Sequence, residues 1–140
     1  MKHFTITPHT ADVRLELEAS TLEELFSVAL IGMAEFIKLG ACSKISHDIH
    51  EIQEEISITS IDTTVLLIDF LSDVLTKTHI NKAIFCTITF SELTDTSIHA
   101  IIFGKYVESF DEDVKAITYH EANVKRNSSG NYTTVIVFDI

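Results

Sequence analysis

Between residues 12 and 17 apolar and charged side chains alternate without a break: Val13, Leu15 and Leu17 are separated by Arg14 and Glu16. A period of two is that of a strand with one face in water. The period then changes. Leu22, Leu25, Phe26, Ala29, Met33, Phe36 and Ile37 recur at helical spacing, behind Ser20 and Glu23, which are spaced as a capping box. This predicts a long amphipathic helix over residues 21–38, stopped by Gly40. Leu67, Phe70, Leu71, Val74 and Leu75 predict a second helix over residues 63–77, with Ser60 or Asp62 as its N-cap.

The rest of the chain has the pattern of strands. Phe4 and Ile6 alternate ahead of Pro8, and Ile52, Ile56 and Ile58 follow a loop at residues 40–50. Apolar runs at 83–90, 97–103, 114–125 and 132–138 are parted by the polar clusters SELTDTS (91–97) and RNSSGN (126–131). Such clusters between apolar runs predict hairpins, and so consecutive antiparallel partners at the end of the chain. The expected architecture is α+β: two helices packed on one face of a largely antiparallel sheet, with residues 1–140 as a single domain.

Composition narrows the function without naming it. Twenty-one acidic residues against ten basic ones give a net charge of −11, which repels phosphate backbones and argues against direct nucleic-acid binding. The same charge suits a basic protein partner or a cation. No run approaches the roughly 18 apolar residues of a membrane span, so no membrane association is expected. The first residues lack the apolar run of a signal peptide. Cys42 and Cys86 lie far apart in sequence and make neither CxxC nor zinc spacing, which predicts two reduced thiols in a cytoplasmic protein. The stretch DIHEIQEE (48–55) is the most acidic and is expected as a solvated loop and strand edge.

No nucleophile elbow, Gly-rich phosphate loop or paired-histidine zinc motif is present. His47 and His50, three apart in a loop, are a weak metal pair at best. Three stretches carry more. HTAD (9–12) places a histidine and an aspartate ahead of the first clear strand; Asp12 closes a local turn there or serves as a ligand. In VKAITYHEANV (114–124), strand alternation puts Lys115 and Tyr119 on one face about 7 Å apart, with Val114, Ala116, Thr118 and His120 toward the core. The last strand ends in Asp139 and the carboxylate of Ile140, two adjacent anions that repel unless they share a proton or a cation. If Asp12 lay beside them, three hard oxygen groups would converge, a donor set for Ca²⁺, Mg²⁺ or Mn²⁺.

HTAD, the helix entry TLEELF (21–26), LLIDFLSDVL (66–75), KAITYH (115–120) and the terminal FDI (138–140) together resemble the archease family in order and spacing along the whole chain. The resemblance implies a small α+β protein that binds a divalent cation, Ca²⁺ first and Mg²⁺ or Mn²⁺ as alternatives. It implies a cytoplasmic, non-enzymatic accessory factor of an RtcB-type tRNA-splicing RNA ligase. In that role it promotes guanylylation of the ligase and its multiple turnover. The family's metal ligands match Asp12, Asp139 and the Ile140 carboxylate, and its motif lysine matches Lys115, the leading residue for partner or nucleotide chemistry; His9, Tyr119 and His120 match motif positions too. Val13-Arg14-Leu15 departs from the glycine-containing stretch that many members carry after the aspartate, and the segment before Lys115 is short. A general chaperone or modulator of RNA-modifying enzymes, such as a tRNA methyltransferase, with a structural metal is the alternative. A metal-dependent hydrolase is a third, for which the sequence supplies no general base.

Overall fold

The computed structural model describes residues 2–8, 12–43 and 50–140. Among these the chain forms two helices and two antiparallel sheets, in the order β1 (Lys2–Pro8), β2 (Asp12–Ala19), α1 (Leu22–Ile37), β3 (Ile52–Thr59), α2 (Thr63–Asn81), β4 (Ala83–Leu93), β5 (Ser97–Tyr106), β6 (Ala116–Thr118), β7 (Lys125–Arg126) and β8 (Tyr132–Asp139). The α+β class is as expected, but the strands divide into two sheets rather than one. One has the order β1-β2-β8-β6, with β7 also paired to β8; the other has the order β3-β5-β4. Strand β2 pairs with β8 along its whole length, so β6 and β7 share the opposite side of β8, one near each end.

Both helices are capped by side chains that free their first backbone N–H groups from water. The α1 cap falls one residue later than the Ser20–Glu23 spacing suggests: the Glu24 N–H donates to Thr21 Oγ1 at 3.1 Å, and the Ser20 hydroxyl donates to the Glu24 carboxylate. Thr21 and Glu24 carry the same box spacing, so the motif was ambiguous by one position. For α2 the cap is Asp62, whose Oδ1 accepts from the Val65 N–H at 2.9 Å, and the helix runs four residues beyond the expected end to a left-handed Lys82.

Helix α1 packs on β1 and β2 of the first sheet and on β4 of the second; α2 packs on β3, β4 and β5 of the second and on β6 of the first. Phe26 and Phe70 join the helices, with ring centroids 5.3 Å apart, and Phe36 meets Phe138 of β8 at 5.9 Å. Val13, Leu15 and Leu17 face this core, while Asp12, Arg14, Glu16 and Glu18 project from the other side of β2, as the sequence alternation requires.

Four expectations are corrected. The run at 114–124 is not one strand: β6 stops at Thr118, and residues 119–124 turn away before β7. Within β6 the buried residue is Ile117 and the exposed one is Ala116, the reverse of the assignment by apolar count. Ile117 stands opposite Phe138, and the deep face of β8 dictates which side of its partner is covered. Strand β6 also pairs with β8 rather than with the preceding β5, so among the described strands the consecutive antiparallel partners are β1–β2, β4–β5 and β7–β8. Finally, Cys42 and Cys86 are joined by a disulfide, with Cα atoms 5.5 Å apart. Their 44-residue separation concealed that the turn after α1 lands beside β4.

Strand β3 is an edge strand whose Gln53 and Glu55 are exposed, in keeping with the acidic stretch there. His50 stacks on Phe103 with centroids 4.4 Å apart, and its proposed companion His47 lies outside the described residues.

Candidate metal centre

The two distant stretches that carry Asp12 and Asp139 meet. In the β2–β8 register Asp12 stands directly opposite Asp139, and Asp139 in turn stands opposite Ala116 of β6. Directly opposed residues share a face of the sheet, with Cβ atoms about 4.5–5.5 Å apart. Both aspartates are on the outward face, since Val13 and Phe138, one step inward, are buried. Opposed like charges are unfavourable unless something positive lies between them. The Lys115 N–H donates to the Asp139 carbonyl at 2.8 Å, which fixes the start of KAITYH beside the last strand. The Ile140 side chain packs against the core, and this anchors the main chain that follows Asp139.

Two carboxylate side chains side by side are a donor pair of the kind a hard cation with oxygen ligands takes. Among the described residues no group of three or more His, Cys, Asp and Glu side chains is arranged to hold a metal, so the donors at this corner are short of a complete coordination shell. Ca²⁺ takes about 6–8 oxygens and Mg²⁺ six, so an ion held by this pair would need most of its oxygens from water or from another molecule.

Lys115 is exposed, as are Tyr119 and His120, and Tyr119 lies beyond the end of β6, so strand alternation does not relate it to Lys115. Tyr119 instead turns toward α2, where its hydroxyl donates to Asp69 Oδ1 at 2.7 Å, and Ser60 donates to the other oxygen of Asp69 at 2.8 Å. The bond to Asp69 first, and partial burial second, raise the Tyr119 phenol above its ordinary pKa. The Val124 N–H donates to Thr64 Oγ1 at 2.9 Å and the Asn123 N–H to Thr134 Oγ1 at 3.2 Å, so the whole excursion 119–124 is pinned to α2 and β8. His120 reaches no further than Glu121, at 3.9 Å. His9 lies outside the described residues.

Two residues that sequence reasoning left out belong to this corner. Arg14, on the same face as Asp12 and two positions along, donates to the carboxylate of Glu121, a residue held at φ 63° in the turn after β6. Glu121 first, and then Glu16 and Asp12, raise the pKa of the Arg14 guanidinium. Arg14 was legible only as an alternating polar residue of β2, and nothing local connects it to a glutamate 107 positions away.

A model of the Archease protein family (MTH1598/TM1083) matches residues 4–140. The chain belongs to this family. A curated archease of Methanosarcina mazei is 29% identical over 144 residues, covering 97% of this chain and 95% of the relative. One of Pyrococcus furiosus is 29% identical over 148 residues, covering 100% of both. The archease fold is shared with the solution structure of Methanobacterium thermoautotrophicum protein 1598, at a TM-score of 0.76, 22% identity and 98% coverage of each chain. It is shared with the crystal structure of a Thermotoga maritima archease described as a possible chaperone, at a TM-score of 0.64, 20% identity and 99% coverage of each. No helix among the described residues is long and apolar enough to cross a membrane.

Proposed function

We propose that this archease-family protein is a cation-dependent accessory factor of an RtcB-type tRNA-splicing RNA ligase. It promotes guanylylation of the ligase and restores it for repeated turnover, and it performs no ligation itself. The observation that carries the reading is the direct opposition of Asp12 and Asp139 on one face, with KAITYH fastened to Asp139 through the Lys115 backbone.

Asp12 and Asp139 bind the cation, and the carboxylate of Ile140 serves as the third donor. A bound divalent ion supplies a centre of positive charge with open positions for phosphate oxygens. Lys115 adds a second positive charge at the rim, in reach of an anionic nucleotide presented by the ligase. The Tyr119–Asp69 bond holds the motif turn in place while His120 stays exposed for contact. His9 keeps a role by motif position alone. A net charge of −11 favours docking on a basic region of the partner, where RNA is held, and disfavours RNA binding by this protein directly. The setting is cytoplasmic.

The test is guanylylation and multiple-turnover ligation by the cognate ligase with catalytic amounts of this protein. Asp12→Ala, Asp139→Ala and a short extension after Ile140 should each abolish the stimulation while the fold persists. Undiminished stimulation by the two alanine variants would sink the proposal. The name given to the Thermotoga relative supports a second reading, a general chaperone with a structural cation. That reading requires the protein to rescue unrelated enzymes as well as the ligase.

A further inference from the structure

Arg14 and Glu121 carry an assignment of their own, which rests on the cation site proposed above. Arg14 is opposite Val137 in the β2–β8 register, and Val137 is opposite Thr118, the last residue of β6. Glu121 lies three residues beyond Thr118, on the far side of β8 from β2. To meet, the two side chains must cross β8, a span of about two strand spacings or roughly 10 Å. They do meet, Nη1 of Arg14 donating to Oε2 of Glu121. The bridge runs over Val137, which faces outward in register yet is only 3% exposed. The next outward row along is Asp12–Asp139–Ala116. A guanidinium is a planar fork suited to carboxylates, and three carboxylates are within its surroundings here: Glu121, Asp12 and Glu16.

We infer that Arg14 and Glu121 form an electrostatic latch that sets the cation affinity of the Asp12–Asp139 pair. Glu121 holds the guanidinium across β8 and so keeps it off Asp12. Released from Glu121, Arg14 folds back onto Asp12 and competes with the cation for that carboxylate. Arg14 and Glu121 are positioning residues: neither ligates the ion.

The two halves of the latch therefore act in opposite directions. Removing the positive charge about 7 Å from a divalent ion raises its affinity by roughly three- to tenfold at low ionic strength. Removing Glu121 frees the competitor and lowers the affinity by a similar factor. Once Arg14 is gone there is no competitor to free, so Glu121→Gln then has little further effect.

The experiment is calorimetric titration of the full chain with Ca²⁺ alone, for the parent, Arg14→Gln, Glu121→Gln and the double variant, with Asp12→Asn as the site control. Circular dichroism in chelator verifies that each variant is folded, and an exposed ion pair costs little stability to remove. The latch requires tighter binding in Arg14→Gln, weaker binding in Glu121→Gln, and a double variant close to Arg14→Gln, a non-additive cycle. Both single variants weakening alike, or strictly additive effects, would overturn the latch and leave the cation site standing. A parent that takes up no Ca²⁺, or an Asp12→Asn variant that binds as well as the parent, would overturn the site and the latch with it.

Discussion

The Cys42–Cys86 bond makes a demand on stability that can be measured on the unaltered sequence. Cys42 is buried in the turn that follows α1, and Cys86 lies in β4 where the register with β5 shifts between Phe85 and Thr87. The turn has other fastenings: the Cys42 N–H and the Ser43 hydroxyl donate to the Glu35 carboxylate, each at 3.2 Å, and the Leu39 N–H donates to Asp111 at 3.0 Å. Cutting the bond therefore leaves the folded turn in place and acts chiefly on the unfolded chain, which regains the freedom of a closed loop. For a separation of 44 residues the chain-entropy relation gives about 13 cal/mol/K, or about 4 kcal/mol at 25 °C. A chain of 140 residues unfolds with an entropy of roughly 0.29 kcal/mol/K, so the melting temperature should fall by roughly 14 °C. The assay is thermal unfolding with and without reductant, alongside a thiol titration of the native protein. A Cys42→Ala/Cys86→Ala protein should melt near the reduced parent and ignore reductant. Two titratable thiols in the unreduced native protein would refute the bond itself. A reductant shift under about 3 °C would refute the entropic reasoning.

Two further outcomes concern the fold and its charges. Gly104 of β5 is buried, and a Cβ there would lie 2.3 Å from the Ile84 carbonyl oxygen and 2.8 Å from the Phe85 ring. A backbone oxygen cannot swing aside, so Gly104→Ala should destabilise by about 2 kcal/mol and lower the melting temperature by roughly 7 °C; an equal or higher value would show that β4 yields freely. Glu18 accepts hydrogen bonds from Asn131, His3 and Asn127, which hold its carboxyl down from 4.5 to about 2. A depressed pKa contributes stability above the unfolded value that is lost as pH falls through the folded one. The stability difference between the parent and Glu18→Gln, from urea unfolding, should thus be constant above about pH 5 and shrink toward about pH 2. A difference that stays flat through that interval would dismiss the hydrogen-bonded carboxylate.

Elements governed by local spacing were legible in the sequence, and elements governed by distant partners were not. The period of Leu22 to Ile37 depends on residues one turn apart, so α1 was placed to within a residue at each end. The alternation of β2 likewise names its own buried face. KAITYH offered no such local rule. Its inward face is chosen by Phe138, its length is limited by the pull of Asp69 and Thr64 on residues 119–124, and both causes lie elsewhere in the chain. The division into two sheets was hidden for the same reason, since β6 passes over its sequence neighbour to reach β8. For the candidate site, Asp12 and Asp139 could be named as residue types suited to a cation. Their meeting is a fact of register that the alternation of either strand could not supply. The Arg14–Glu121 contact spans 107 positions and left no local trace at all.

The position of β8 has a consequence for how the protein comes into being. Residues 132–139 follow in sequence every strand they pair with, yet they lie inside the first sheet, with β2 on one side and β6 and β7 on the other. During synthesis α1, α2 and the β3-β5-β4 sheet can form while β1 and β2 wait as a hairpin with one open edge. On a ribosome that still covers residues 132–139, Asp12 faces an empty edge and KAITYH has no strand to join. The Asp12–Asp139 corner thus cannot exist until β8 has emerged. A chain cut short before β8 cannot display it, however well its helices have folded.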